Sequence, residues 1–177
     1  MVAHCPRTRP LCLDESAVAW GMPSNVVVRR SVLTADGVHV LKMLWDFAQA
    51  TTYRNYADWD SRSVEKTISL LHSDADKALF VAELDGRVIG MIAMCAIPYW
   101  FNYGQRSAQE LFWWVEPASR ASGAGAALLH DAEQWAYAQG AQTVIMATTP
   151  TIEPERIGQF YVSRGYSPSD RFYVKEA

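Results

Sequence analysis

A short segment with two glycines and one arginine, SRASGAGAALL from Ser119 to Leu129, carries the clearest chemistry in the sequence. It follows an apolar, strand-like run and opens a helical one, so Arg120, Gly123 and Gly125 lie at the N terminus of a predicted helix. The free N–H groups and the positive dipole end of such a helix form a site for phosphate. Glycines let phosphate oxygens approach the backbone, and Arg120 can add a charge-assisted hydrogen bond. A tight strand–helix connection with nothing bound is the alternative interpretation.

Two common phosphate-binding motifs do not fit this segment. A dinucleotide-binding fingerprint needs a third glycine where the chain has Leu128. A P-loop needs Gly-Lys-Ser or Gly-Lys-Thr, and the sequence contains neither. The glycine turn therefore belongs to neither class.

The elements that must position this turn follow from apolar periodicity and turn residues. They predict one α/β domain with a mixed, mostly antiparallel sheet flanked by helices, in the order β-α-α-β-β-β-α-β-α-β, over residues 26–177 after an N-terminal arm of residues 1–25. The predicted elements are a strand at 26–32, a helix at 35–50 capped by Thr34 or Asp36, a helix beginning at Ser61 or Ser63, two strands around Asp85-Gly86 of which Pro98 ends the second, the aromatic loop PYWFNYGQRS, the strand AQELFWWVEP, a helix at about 123–139 ended by Gly140, the strand AQTVIMATTP, the helix PERIGQFYVSRG and the terminal strand RFYVKE.

Composition narrows the class of protein. Half of the 177 residues are hydrophobic and a fifth are charged, which is typical of a soluble domain, and no apolar run is long enough to span a membrane. We therefore expect a cytoplasmic protein without a membrane partner. The net charge of −3 and the absence of a basic stripe argue against nucleic-acid binding. His4, Cys5 and Cys12 lack a fourth ligand, so no metal site is predicted.

Two blocks together resemble the GCN5-related N-acetyltransferases. The first, LFWWVEPASRASGAGAALLHDAEQWAYAQG, carries the family pattern V-x-P-x-x-R-x-x-G-x-G in register, and the second, FYVSRGY from Phe160 to Tyr166, resembles the family's F-Y-x-x-x-G-F. The predicted element order also matches from about residue 26 to the end. The resemblance implies an N-acetyltransferase domain that moves an acetyl group from acetyl-CoA to a primary amine.

The resemblance also assigns the acetyl-CoA site. The glycine turn would hold the pyrophosphate, and the strand before it would lend backbone groups to the pantetheine arm. In this family that strand separates from the next one, and the thioester lies in the gap. The implied cofactor residues are Trp113, Trp114, Val115, Arg120, Ala121, Ser122, Gly123, Ala124, Gly125 and Ala126.

Two residues are implied to transfer protons. Tyr161 matches the family's usual proton donor to the leaving thiolate, although the ring can instead simply pack on the cofactor. Glu110 matches the place where some members carry the general base, and strand alternation predicts one face shared by Glu110, Phe112 and Trp114. The alternatives for Glu110 are an exposed carboxylate at the end of a strand and a water chain as the base.

The acceptor site is implied to lie at two aromatic loops, QATTYRNYADWD and PYWFNYGQR. Their rings can form an apolar slot or a cation–π cage for an amine, or can cap the core. The candidate substrate-binding residues are Tyr53, Tyr56, Tyr99 and Tyr103. The acceptor is expected to be a small-molecule or peptide amine. The sequence leaves open whether the protein forms a homodimer.

Two departures from the family pattern keep other functions open. The strand TVIMATT has no glutamate, and Pro154 stands where some members carry an asparagine that contacts the cofactor. A non-catalytic acyl-CoA-binding module of the same fold and a transferase with another acyl-CoA donor are therefore the alternatives.

Overall fold

The chain folds around one mixed sheet whose strands lie side by side in chain order, β1-β2-β3-β4-β5. The computed structural model describes residues 25–170 and 172–175. Within these residues the elements are β1 (Val26–Arg30), α1 (Leu33–Ala50), α2 (Ser61–Ser73), β2 (Lys77–Leu84), β3 (Arg87–Tyr99), β4 (Asn102–Val115), α3 (Ala124–Ala138), β5 (Ala141–Ile145) and α4 (Pro154–Ser163), with short 3₁₀ turns at Thr52–Asn55 and Pro117–Ser122.

The sheet is mostly antiparallel, as the sequence predicts. β1 to β4 pair antiparallel with their neighbours, whereas β5 pairs parallel to β4. Asp85 and Gly86 join β2 to β3 with φ values of 52° and 77°, which is the left-handed backbone that a two-residue hairpin needs. The predicted Asp-Gly hairpin is thus confirmed.

Helices cover both faces of the sheet. Along β3, Met91 and Ala93 pack in a core cluster with α1 and α2, whereas Ile92 and Met94 pack in a second cluster with α3. This alternation follows from the two-residue period of a strand and explains why the central strands are apolar on both faces. The result is three layers, with the sheet between α1–α2 and α3.

The first helix differs from the prediction in its start. Its buried apolar residues are Val40, Met43, Leu44 and Phe47, whereas Trp45 is 44% exposed. The helix begins at Leu33, and neither Thr34 nor Asp36 is its N-cap. Asp36 instead lies in the first turn and accepts a hydrogen bond from the Val32 N–H at 2.6 Å.

Two further predictions about β-structure are wrong. The aromatic segment PYWFNYGQRS is a hairpin rather than a long loop, because β3 continues through Pro98 to Tyr99 and only Trp100 and Phe101 form the turn. The predicted strand RFYVKE is not formed by residues 172–175, which take no regular structure. The predicted arm and its His4, Cys5 and Cys12 lie outside the described residues, except for Asn25.

Two features are absent from the described residues. None of their helices combines the length and apolar character needed to cross a bilayer. The same residues contain no group of three or more His, Cys, Asp or Glu side chains placed to hold a metal ion.

Candidate functional site

A gap between β4 and β5 forms the centre of the candidate site. The parallel pairing runs from Arg106↔Ala141 to Gln109↔Ile145, and β4 then continues to Val115 without β5 beside it. A cavity of about 360 Å³ opens there, lined by the end of β4, the start of α3, the segment after β5 and α4. The strands therefore separate as the family resemblance implies.

A β-bulge places Glu110 at the point of separation. Phe112 pairs with Ala93, but the next pair along is Met94 with Glu110, so β4 carries Leu111 as an extra residue. Phe112 and Trp114 belong to the core cluster under α1 and α2, whereas Met94, opposite Glu110, belongs to the cluster against α3. The prediction that Glu110 shares their face is therefore wrong, because the bulge interrupts the alternation.

The Glu110 carboxylate lies in the cavity wall and bridges the gap. Its Oε2 accepts a hydrogen bond of 3.1 Å from the Ala147 N–H, which lies two residues after the end of β5. Burial raises the pKa of Glu110 from 4.5 to about 7, against the opposing effect of this hydrogen bond. A carboxyl group with a pKa near neutral pH is well matched to proton transfer.

Tyr161 approaches the same backbone residue from α4. Its hydroxyl donates a hydrogen bond of 3.1 Å to the Ala147 carbonyl, and the side chain lines the cavity. Burial, reinforced by the charge of Glu110, raises the pKa of Tyr161 above its ordinary value of 10, so the phenol stays protonated at neutral pH. The two side chains implied to transfer protons thus meet on opposite sides of Ala147.

The glycine turn has the backbone geometry expected of an anion site. Gly123 is the residue before α3 and has φ 83°, a left-handed conformation that favours glycine. The Ala124 N–H donates a hydrogen bond of 3.3 Å to the Ser122 Oγ. The start of α3 faces the cavity, because Gly123, Gly125 and Ala126 all line it.

Arg120 lies over an aromatic ring at the cavity wall. Its Cζ lies 5.0 Å from the centroid of Trp114, and its Nε donates a hydrogen bond of 3.3 Å to the Val115 carbonyl. Trp114 is itself fixed, since it is 5% exposed and packs edge-on against Phe47 at 6.1 Å. A cation thus lies beside the helix N terminus, as an anion site requires.

The cavity unites most of the residues that the sequence singles out. Among the predicted catalytic and cofactor residues, Ser122 and Ala124 do not line the cavity. The residues that do line it are Glu110, Trp113, Trp114, Val115, Arg120, Ala121, Gly123, Gly125, Ala126 and Tyr161.

Sequence reasoning missed the rest of the cavity wall. Phe47 reaches it from α1, and Ala147–Thr149, Ile152, Glu153, Arg156, Ile157 and Phe160 reach it from the chain after β5. Glu153 has φ 38°, its side chain is 54% exposed, and it pairs with Arg156 at 2.7 Å. The placement of Glu and Arg three residues apart at a helix start is the one signal that the sequence offered.

The predicted acceptor residues lie outside the cavity lining. Tyr53 and Tyr56 are exposed at the turn after α1, where Tyr53 contacts the cavity residue Phe47 with ring centroids 5.9 Å apart. Tyr99 and Tyr103 lie on the β3–β4 hairpin, where Tyr103 is 78% exposed and the Tyr99 hydroxyl is 2.5 Å from the Thr143 Oγ1. Their role in binding the acceptor stays a prediction.

A family model decides the classification. The model described as the acetyltransferase (GNAT) family matches residues 40–166, which include the glycine turn, Glu110 and Tyr161. The chain belongs to this family. Membership of the GNAT family makes the protein an acyltransferase by class, and it agrees with the strand gap and the glycine turn described above.

Solved structures share the fold at low sequence identity. A transcriptional regulator from Bacillus halodurans C-125 matches at 21% identity and a TM-score of 0.70, over 86% of this chain and 99% of the other. An acetyltransferase from Trypanosoma brucei matches at 19% identity and a TM-score of 0.66, over 86% of this chain and 100% of the other. Glucosamine-6-phosphate N-acetyltransferase from Arabidopsis thaliana matches at 13% identity and a TM-score of 0.66, over 85% of this chain and 97% of the other. No curated protein matches the sequence significantly.

Proposed function

We propose that this GNAT protein is an acetyl-CoA-dependent N-acetyltransferase that acetylates a primary amine by direct transfer. The observation that carries the proposal is the meeting of Glu110 and Tyr161 at Ala147 inside the gap between β4 and β5. One group with a pKa near 7 and one phenol kept protonated are the base and acid that such a transfer needs.

The residues around the cavity fit acetyl-CoA. The left-handed Gly123 cap, the N terminus of α3 and the Arg120 guanidinium would hold the pyrophosphate, since each offers N–H donors or positive charge. The end of β4, which β5 leaves unpaired on that side, would offer backbone groups to the pantetheine arm. When bound, acetyl-CoA supplies an acetyl group activated as a thioester.

Glu110 would remove a proton from the acceptor amine, directly or through one water, because its carboxylate lies in the cavity wall. Tyr161 would give its phenolic proton to the departing thiolate. The hydrogen bond to the Ala147 carbonyl holds its hydroxyl at the cavity until then. The acceptor is proposed to be a small-molecule or peptide amine, with Tyr53, Tyr56, Tyr99 and Tyr103 as candidate contacts.

Turnover of acetyl-CoA against a panel of amines tests this function. The panel contains glucosamine 6-phosphate, a polyamine and a peptide with a free N terminus, and CoA release is followed with a thiol reagent. Tyr161→Phe should lower kcat at least tenfold, with CoA affinity changed less than about threefold, because it removes only the acid. Tyr137→Phe, exposed on α3, is the matched control and should retain kcat.

Three results would contradict parts of the proposal. CoA binding without turnover of any amine would favour the non-catalytic acyl-CoA-binding module. Turnover with another acyl-CoA but not with acetyl-CoA would show that acetyl-CoA is not the acyl donor. Wild-type kcat in Tyr161→Phe, with the chemical step rate-limiting, would exclude Tyr161 as the acid.

A further inference from the structure

Trp113 lies between the glycine turn and the residue proposed as the acid. We propose that Trp113 is a positioning residue for Tyr161, and that residue 125 is glycine in order to admit the Trp113 ring. This inference rests on the proposed function, because it concerns the placement of the proposed proton donor.

The Tyr161 ring packs in a cluster of aromatic rings. Trp113 contacts it with centroids 5.9 Å apart and an interplanar angle of 35°, and Tyr166 contacts it at 5.5 Å and 48°. Trp113 also packs on Phe160 at 5.9 Å and 33°, so it contacts two successive residues of α4. The Tyr166 hydroxyl donates to the Glu133 carboxylate of α3 at 2.7 Å, which fixes the second ring.

The Trp113 ring also contacts Gly125. A Cβ built on Gly125 would lie 3.1 Å from the Trp113 Cζ2 and 3.8 Å from its Cε2. An ordinary contact between such carbons is about 3.5–4.0 Å. An alanine at position 125 would therefore displace the ring by a few tenths of an ångström, and this shift would change how the ring packs on Phe160 and Tyr161.

The backbone gives no other reason for a glycine at this position. Gly123, Gly86, Gly140 and Gly165 have positive φ values, but Gly125 is not among the glycines with this conformation. Gly125 lies within the first turn of α3, where alanine is the better helix former. Two explanations remain for Gly125, which are the close approach of a phosphate group and the room needed by Trp113, and they predict different behaviour.

A double-mutant cycle between positions 125 and 113 separates these explanations. If Gly125 makes room for the ring, Gly125→Ala lowers kcat roughly tenfold in the wild-type protein. It causes little further loss in Trp113→Leu, because leucine has no atom where the Trp113 Cζ2 lies. If Gly125 serves only the approach of phosphate, Gly125→Ala lowers CoA affinity instead, and by the same factor in the wild-type and Trp113→Leu proteins. That second result would overturn this part of the inference. Gly37→Ala, in α1 with only an ordinary 3.7 Å contact, is the matched control.

A second cycle tests whether Trp113 acts through Tyr161. Trp113→Leu should lower kcat roughly tenfold and raise the acetyl-CoA KM much less, and it should have little further effect together with Tyr161→Phe. Trp113→Phe keeps an aromatic ring and should retain most of the activity, while Trp135→Leu, partly buried on α3, controls for loss of an indole. If Trp113→Leu lowers kcat by the same factor in the wild-type and Tyr161→Phe proteins, the inference is overturned.

Calorimetry with CoA distinguishes failure of this inference from failure of the proposed function. A wild-type chain that neither binds CoA nor releases it from acetyl-CoA overturns both. A wild-type chain that binds CoA and acetylates an amine, but shows additive cycles, overturns only the role of Trp113.

Discussion

Replacing Glu110 by glutamine should change how stability depends on pH. The folded state holds the pKa of Glu110 at about 7, whereas its ordinary value is 4.5. Between these values the folded chain binds more protons at this site than the unfolded chain does, so this group makes the protein less stable as pH rises. The difference between the two pKa values corresponds to about 3 kcal/mol. Glutamine keeps the shape and an acceptor for the Ala147 N–H but carries no charge.

The free energy of unfolding of wild type and Glu110→Gln can be compared by urea titration from pH 5 to pH 8.5. At pH 5 both side chains are neutral in the folded state, but the unfolded glutamate is already partly ionised, so the glutamine variant should be more stable by only about 1 kcal/mol. At pH 8.5 the glutamine variant should be more stable by up to about 3 kcal/mol. Other titrating groups cancel in this difference because both proteins share them. Glu65→Gln, at an exposed site on α2, is the control for a glutamate-to-glutamine change outside the cavity.

The same variant tests the chemistry. If Glu110 is the base, Glu110→Gln should remove the acidic limb of the kcat/KM profile and lose most activity near neutral pH. At higher pH more of the free amine is already neutral, so the deficit should shrink. A stability difference that stays flat with pH would refute the raised pKa. An acidic limb that persists in the variant would place the base elsewhere, with bulk water as the better candidate.

Three further predictions concern the anion site and the core. Gly123→Val should abolish CoA binding in calorimetry while the fold is retained in circular dichroism, because φ 83° and the cavity both exclude a branched side chain; unchanged affinity in a folded variant would contradict it. Trp114→Leu should weaken CoA binding roughly three- to tenfold, and not at all when Arg120→Ala is also present, since it acts through the stacked guanidinium. Asp36→Asn should lower the free energy of unfolding by about 2 kcal/mol at pH 7, because Asp36 is 3% exposed and binds Arg29. The Arg29 guanidinium lowers the pKa of Asp36 below its ordinary value of 3.8, so this loss should be full above pH 3.8 and should shrink as pH falls below 3.8 through the lowered pKa of the folded state; a loss independent of pH would contradict it.

The parts of the fold that depend on local backbone chemistry were predictable. Asp85-Gly86 and Gly123 need left-handed backbone, and the residue types that tolerate it identify the hairpin and the start of α3. The order of helices and strands follows from apolar periodicity, apart from the terminal strand. The hairpin at Trp100 and Phe101 was missed because its two turn residues are aromatic and neither is a glycine, asparagine or aspartate.

The geometry of the site depends on contacts that the sequence does not encode locally. The run LFWWV is apolar throughout, so it gives no alternation from which a bulge at Leu111 can be detected. The contact of Gly125 with Trp113 joins a strand to a helix, and neither segment alone reports it. The family motifs predict Glu110 and Tyr161 as site residues. They do not predict Ala147, to which both hydrogen-bond, because the side chain of an alanine does not suggest a role.

Ala147 contributes to the site only through its main chain, since its N–H bonds Glu110 and its carbonyl bonds Tyr161. Every amino acid except proline supplies the same pair of groups. Both hydrogen bonds can therefore be kept when residue 147 is a different amino acid. In a sequence alignment of relatives such a position would vary and would look unimportant. A saturation library at this site should accordingly tolerate many replacements that fit the cavity and reject proline, which is a pattern that reveals a backbone role.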